Sequence, residues 1–215
     1  MPLWATDGDS LVTAQDAVYG LKRPADNEAD RTFAAGAVAI APRLLLTAKH
    51  VAQAALASSD GKPVAFHGRD GSIVMATLLY ESPVEDIAVF LTSSPLAHSL
   101  PLRCEAPVLG EEVTALGFPR GQPWMYLAGR VASSVPYESK EDGAWTVLDI
   151  AINPGSSGGP LLDRLGRIVG LPVAAFAIGV PAGFRMEMAT QGIGYAVPGA
   201  SLCDFLAPFA GWTRA

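Results

Sequence analysis

Short apolar runs separated by turn-forming residues fill most of the chain. They are Ala35–Ala41, Arg43–Thr47, Pro63–His67, Ser72–Tyr80, Ile87–Leu91, Glu112–Gly117, Met125–Ser133, Trp145–Ile150, Pro160–Leu162, Arg167–Val173 and Gly194–Val197. Runs this short, rich in Val, Ile, Leu and aromatics and bounded by Gly, Pro, Asp or Ser, predict β-strands, and a long series of them predicts an all-β sandwich or barrel. The clearest hairpin is Pro160–Val173, where Gly166 suits a turn position at positive φ. Helical spacing is confined to three places. Ser10 is placed to N-cap a helix carrying Leu11, Ala14, Val18 and Leu21 on one face. Val51–Ala57 predicts a helical turn after a strand. Leu202, Phe205, Leu206 and Phe209 share the face of a short C-terminal helix that ends near 208–211.

The stretch 93–112 carries three prolines and little periodicity, and it divides the strands into two groups of similar size. The expected architecture is therefore all-β: two antiparallel barrels with short N- and C-terminal helices. Residues 1–32 form an N-terminal extension and helix, 33–100 the first barrel, and 101–215 the second barrel with the C-terminal helix. Residues 136–143, the most polar stretch, read as an exposed loop. The longest uncharged stretch, Ile168–Phe184, is interrupted by Pro172 and Pro181 and reads as buried strand–loop–strand, not as a membrane span.

Composition narrows the function classes. The 215 residues carry 15 Lys+Arg against 21 Asp+Glu, a net charge of −6, and no long basic run, which argues against a nucleic-acid partner. Half the residues are hydrophobic and 17% are charged, so a disordered chain is excluded. Cys104 and Cys203 are too few for a disulfide scaffold and lack metal-ligand spacing, so neither metal nor cofactor is expected. The N-terminal stretch has no basic segment followed by an apolar one, so no signal peptide is expected. The corresponding expectations are a cytoplasmic location, reduced thiols and no membrane contact.

Three segments carry chemistry: His50 in LLLTAKHVAQAAL, Asp86 in SPVEDIAVFL, and Ser157 in INPGSSGGPLL. A serine hydroxyl is a poor nucleophile until a neighbouring base takes its proton. A neutral histidine is such a base, and a carboxylate fixes its tautomer. The glycines around Ser157 allow a sharp turn and leave room for a substrate carbonyl against the N–H groups of Gly155 and Ser157. Chain order discriminates between the known ways of building such a triad. No histidine follows Ser157, which excludes the hydrolase elbow order of Ser, acid, His. The subtilisin order requires alternating helices that this pattern lacks. His67 and His98 lack the strand-then-helix setting of His50. Asp60 and Asp70 precede Gly in turns, where Asp has a local backbone role. Ser156 is the rival nucleophile.

In these motifs the chain resembles a trypsin-like serine peptidase of the chymotrypsin fold, nearest to the bacterial HtrA/Do-like protease module without a PDZ domain. TAKHV, EDIAVF and GSSGGP match the family's histidine, aspartate and serine motifs in order, with Ser156 where Asn or Asp is usual. VTALGFPRG, GRVAS and GIGYAVP extend the match over roughly 33–206. The resemblance implies two six-stranded barrels, a His50–Asp86–Ser157 triad, and endopeptidase action through an acyl-enzyme on a protein or peptide. It implies an oxyanion hole at Gly155 and Ser157. It also implies a primary specificity pocket with Ala151 at its base and Leu171, Pro172 and Val173 along one strand, which favours small or aliphatic side chains. A homo-oligomer or a regulatory partner is compatible with it. The alternative is a catalytically silent protein-binding module on the same fold.

Overall fold

The computed structural model describes residues 13–23, 32–139, 143–173 and 192–209. Two antiparallel barrels account for nearly all of the strands. The first is closed and contains β1 (Val18–Lys22), β2 (Phe33–Ala41), β3 (Leu44–Thr47), β4 (Val64–His67), β5 (Ile73–Glu81) and β6 (Ala88–Thr92) in the order β1-β2-β3-β6-β5-β4. A single pairing of Gly20 with His67 closes β1 onto β4. Helix α1 (Lys49–Ser59) leaves β3 and returns the chain to β4.

The second barrel contains β7 (Glu112–Gly117), β8 (Met125–Val131), β10 (Gly143–Asp149), β11 (Leu161–Leu162), β12 (Ile168–Val173) and β13 (Ile193–Pro198). It closes where β10 pairs with β13. Strand β9 (Tyr137–Ser139) extends it as a hairpin on the first half of β10. Helix α2 (Gly199–Leu206) follows β13 and buries Leu202, Phe205 and Leu206, with a 3-10 turn at Ala207–Phe209 completing the C-terminal element. The predicted hairpin forms, with Gly166 at φ +74° and Asp163 Oδ1 accepting from the Leu165 and Arg167 amides.

Two predicted elements are corrected. Val18 and Leu21 lie on strand β1, and among the described residues 13–16 form a helical turn before it. Their spacing fits a helix by coincidence, whereas β-branched Val18 and aromatic Tyr19 suit a strand, and β2 supplies the partner edge. The polar stretch 136–143 contains strand β9, because Tyr137 pairs with Trp145 on β10 and their rings pack at 5.9 Å. The Ser10 cap, Leu11, and residues 174–184 of the uncharged stretch lie outside the described residues.

Cys104 and Cys203 are joined in a disulfide, with Cα atoms 5.7 Å apart, instead of remaining thiols. A separation of 99 residues conceals this pairing in the sequence. Contact becomes possible because α2 packs back on the segment between the barrels. That segment threads along both of them: the Leu96 and Leu100 amides bond Pro42 and Ala39 carbonyls, and the Arg103 amide bonds the Ile168 carbonyl.

The main core runs from the first barrel across the interface into the second. At the interface Phe33, Phe118 and Trp124 form a mutual aromatic cluster, the closest pair of ring centroids being 4.6 Å apart. This cluster sits beside the serine-containing turn.

Candidate active site

Strand register brings His50 and Asp86 together. Thr47, the last residue of β3, pairs with Ala88, the first of β6. Residues just after β3 and just before β6 therefore emerge side by side. His50 is the second residue of α1, and the N-cap Ala48 has no side chain with which to satisfy the exposed amides of the first turn. Asp86 does so from the neighbouring loop. Its Oδ1 accepts the His50 amide at 2.9 Å, while Oδ2 lies 2.7 Å from His50 Nδ1. One carboxylate thus caps the helix and orients the ring.

The environments of the two groups differ. The Asp86 side chain is 7% exposed and that of His50 40%. Burial pushes the Asp86 carboxyl up, but the His50 ring, its charge and its amide, with Lys49 nearby, outweigh burial and hold it below the usual carboxylate range. An ionised carboxylate only accepts hydrogen bonds, so Nδ1 carries the proton and a neutral ring leaves Nε2 as an acceptor. Ser82 shapes the loop that carries Asp86: its Oγ accepts the Val84 and Glu85 amides, and its own amide bonds the Ile87 carbonyl. Ser82 is not among the motif residues, although a Ser two to three residues before the turn it caps is a recognisable side-chain turn signal.

Ser157 lies in the turn between β10 and β11. It is 3% exposed and lines the same cavity as His50 and Gly155. Backbone bonds from both barrels pin the turn. The Gly36 amide on β2 donates to the Ser157 carbonyl, the Phe118 amide to Gly155, the Arg120 amide to Pro154, and the Gly158 amide to Pro172. Gly155 has φ +99°, and a Cβ there would collide with the Phe118 carbonyl. Gly158 is equally constrained, facing the Gly36 carbonyl and Thr47 Oγ1. Thr47 of the TAKHV motif is buried and donates to that same Gly36 carbonyl at 2.7 Å. Its part in the site is thus to fix the strand that holds the serine turn. Arg120, at φ +54°, is a non-glycine residue in the left-handed region beside this turn.

The remaining expected residues fall as follows. Ala151 is exposed, and its carbonyl accepts from Asn153 Nδ2. Leu171 and Val173 are 0% and 1% exposed and belong to the main core, so their side chains present no surface to a ligand. Pro172 meets the serine turn through its carbonyl. All six residues of β12 are buried. Ser156, the rival nucleophile, has its hydroxyl fully buried without a hydrogen-bond partner. His98 is exposed in the inter-barrel segment, whereas His67 lines the cavity near His50.

The fold and these motifs define a class. A trypsin-like peptidase domain model matches residues 34–171, and the chain belongs to that family. Its relatives are HtrA/Do-type proteases. Protease Do-like 1 of Arabidopsis thaliana chloroplasts is 32% identical over 53% of this chain and 26% of its own length. A probable periplasmic serine endoprotease, DegP-like, of Ectopseudomonas mendocina is 28% identical over 75% of this chain and 34% of its own. The chain therefore spans about a quarter to a third of these relatives. Among solved structures, the HtrA-type protease AlgW with a tripeptide superposes with a TM-score of 0.73 at 26% identity, over 94% of this chain and 62% of that one. A protease from M. tuberculosis in its active form shares the fold, with a TM-score of 0.73 at 18% identity, over 94% and 84% of the two chains.

Proposed function

We propose that this protein is a serine endopeptidase in which Ser157 is the nucleophile, His50 the general base and Asp86 the residue that orients it. The observation that carries this reading is the paired contact of Asp86 with the ring and the amide of His50, on a ring that shares a cavity with Ser157. In this reaction Ser157 Oγ attacks the scissile carbonyl while His50 Nε2 takes its proton. The tetrahedral oxyanion is held by the amides of Gly155 and Ser157. His50 then returns the proton to the departing amine, leaving an acyl-enzyme that water hydrolyses by the same steps in reverse. Asp86 stays ionised throughout and stabilises the imidazolium.

The substrate is a polypeptide. In this reading Ala151 holds the position that the family resemblance assigns to the base of the primary pocket; it brings no charge there, so a small or aliphatic side chain is favoured and a buried Lys or Arg would lack a partner. The Cys104–Cys203 disulfide favours an oxidising compartment over the cytoplasm expected from the sequence.

Labelling with a fluorophosphonate probe, alongside digestion of an unstructured protein, tests the proposal. Wild-type protein should be labelled and should cleave; Ser157→Ala should do neither while keeping its melting temperature. A folded wild-type protein that takes up no label would overturn the enzyme reading in favour of the silent binding module.

A further inference from the structure

The cavity that contains Ser157 extends well beyond the reacting atoms. It has a volume of about 590 Å³ and runs along one face of α1. His50, Ala54 and Ser58 form one row of this face, and Val51, Ala55 and Ser59 the next, each spaced by four residues. The opposite walls come from Leu21 on β1, Ala34 and Ala35 on β2, and Val64 and Ala65 on β4. Between the rim cations the walls are mostly Ala, Val and Ser, which makes a trough suited to an extended backbone with modest side chains.

The rim has a different character. Lys22, Arg23 and Lys62 line the trough, and among the described residues no Asp or Glu does. A second cavity shows what paired cations look like: its Arg103, Arg130 and Arg167 are each bridged to Glu111, Glu112 or Asp163. Among the described residues Arg23 and Lys62 have no acidic partner, and Lys22 lies 5.8 Å over the Phe33 ring.

The direction of the trough follows from the chemistry. The leaving amine takes its proton from the His50 ring, so the polypeptide downstream of the cleaved bond departs on the His50 side. Ala151 and β12, on the other flank of Ser157, contribute nothing to the trough. From His50 to Ser59 the helix advances about 13 Å at ~1.5 Å per residue, which matches about four residues of extended chain at ~3.3 Å each. Lys62 lies past the far end of α1.

We infer that the α1 trough binds the substrate segment downstream of the scissile bond, and that Lys62 and Arg23 select an acidic residue at its third or fourth position. This rests on the protease reading for its direction, but the binding it describes is measurable without turnover. Two internally quenched peptides, identical up to the cleaved bond, would carry either Gln or Glu at the third and fourth downstream positions. At low ionic strength wild-type kcat/KM should be about three- to tenfold higher for the Glu peptide, and the ratio should shrink at high salt because exposed charges are screened. Lys62→Glu should invert the ratio. The two downstream segments alone, fluorescently labelled, should bind the Ser157→Ala protein with the same order of affinities. Equal kcat/KM and equal binding for the two sequences, or an acidic preference that survives Lys62→Glu unchanged, would overturn the inference. Absence of fluorophosphonate labelling with the binding difference intact would overturn the protease reading and leave the trough assignment standing.

Discussion

Asp86 concentrates three roles in one side chain: it caps α1, fixes the His50 tautomer and stays charged in a nearly closed setting. Asp86→Asn preserves shape but removes the charge, and its amide can donate a proton to Nδ1, leaving the ring with the wrong tautomer. The expected loss in turnover is about 10⁴-fold, the magnitude found when the triad aspartate of a related fold is changed in the same way. Asp60→Asn and Asp70→Asn serve as controls; a collapse of turnover in either, with Asp86→Asn within about tenfold of wild type, would relocate the orienting role. Asp70 Oδ1 accepts the Ser72 amide within its own turn, as its DG context suggests.

At the scale of elements, the second barrel is fastened by two devices remote from the site. The disulfide ties α2 to the inter-barrel segment across 99 residues of chain. Cys203→Ser should cost about 2–4 kcal/mol, or about 5–15 °C in Tm for a chain of this size, and the same loss should follow reduction of the wild type. Equal melting curves with and without reductant would show that the tie contributes nothing. The second device is the cluster in which Arg103 bridges Glu111 at 2.6 Å and Asp163 at 3.1 Å, with Arg167 also on Asp163. The Arg103 hydrogen bond outweighs burial and lowers the Glu111 carboxyl. Burial pushes Asp163 up, but bonds from Arg167 and the Leu165 amide bring it below its usual value. Both carboxyls are lower in the folded protein, so their stabilisation is complete above about pH 5 and disappears as pH falls through the folded values. Glu111→Gln with Asp163→Asn should therefore flatten the acid limb of stability against pH, measured by urea unfolding at several pH values.

The whole molecule works through the seam between barrels. His50 and Asp86 stand on the first barrel and Ser157 on a turn of the second, so the site exists only when the barrels are docked. Phe118 is completely buried at that seam, 5.1 Å from the Trp124 ring, and its backbone holds Gly155. Phe118→Ala should cost about 3–5 kcal/mol, as buried aromatic truncations do. It should also lower kcat more than KM, because it loosens the serine turn. A variant that is destabilised yet fully active at low temperature would show that the turn keeps its geometry without the ring.

How legible all this is from the chain depends on the range of the interaction. Strands with their own alternation and turn residues, such as β7 and the β11–β12 hairpin, are written locally, as are the three motifs of the proposed triad and their order. Net charge and the absence of an acidic residue at position 151 are likewise properties of the sequence alone. Strand β1 was not legible, because a five-residue segment beside a helical turn acquires strand character only when β2 and β4 present their edges. The Cys104–Cys203 bond, the burial of Leu171 and Val173, the capping of α1 by a residue 36 positions away, and the basic rim of the α1 trough depend on distant segments meeting. Local propensity and motif spacing are set by bonds and sterics within a few residues, so one sequence determines them. Which side chains face each other across a barrel seam is set by register and packing, and only the tertiary structure decides that.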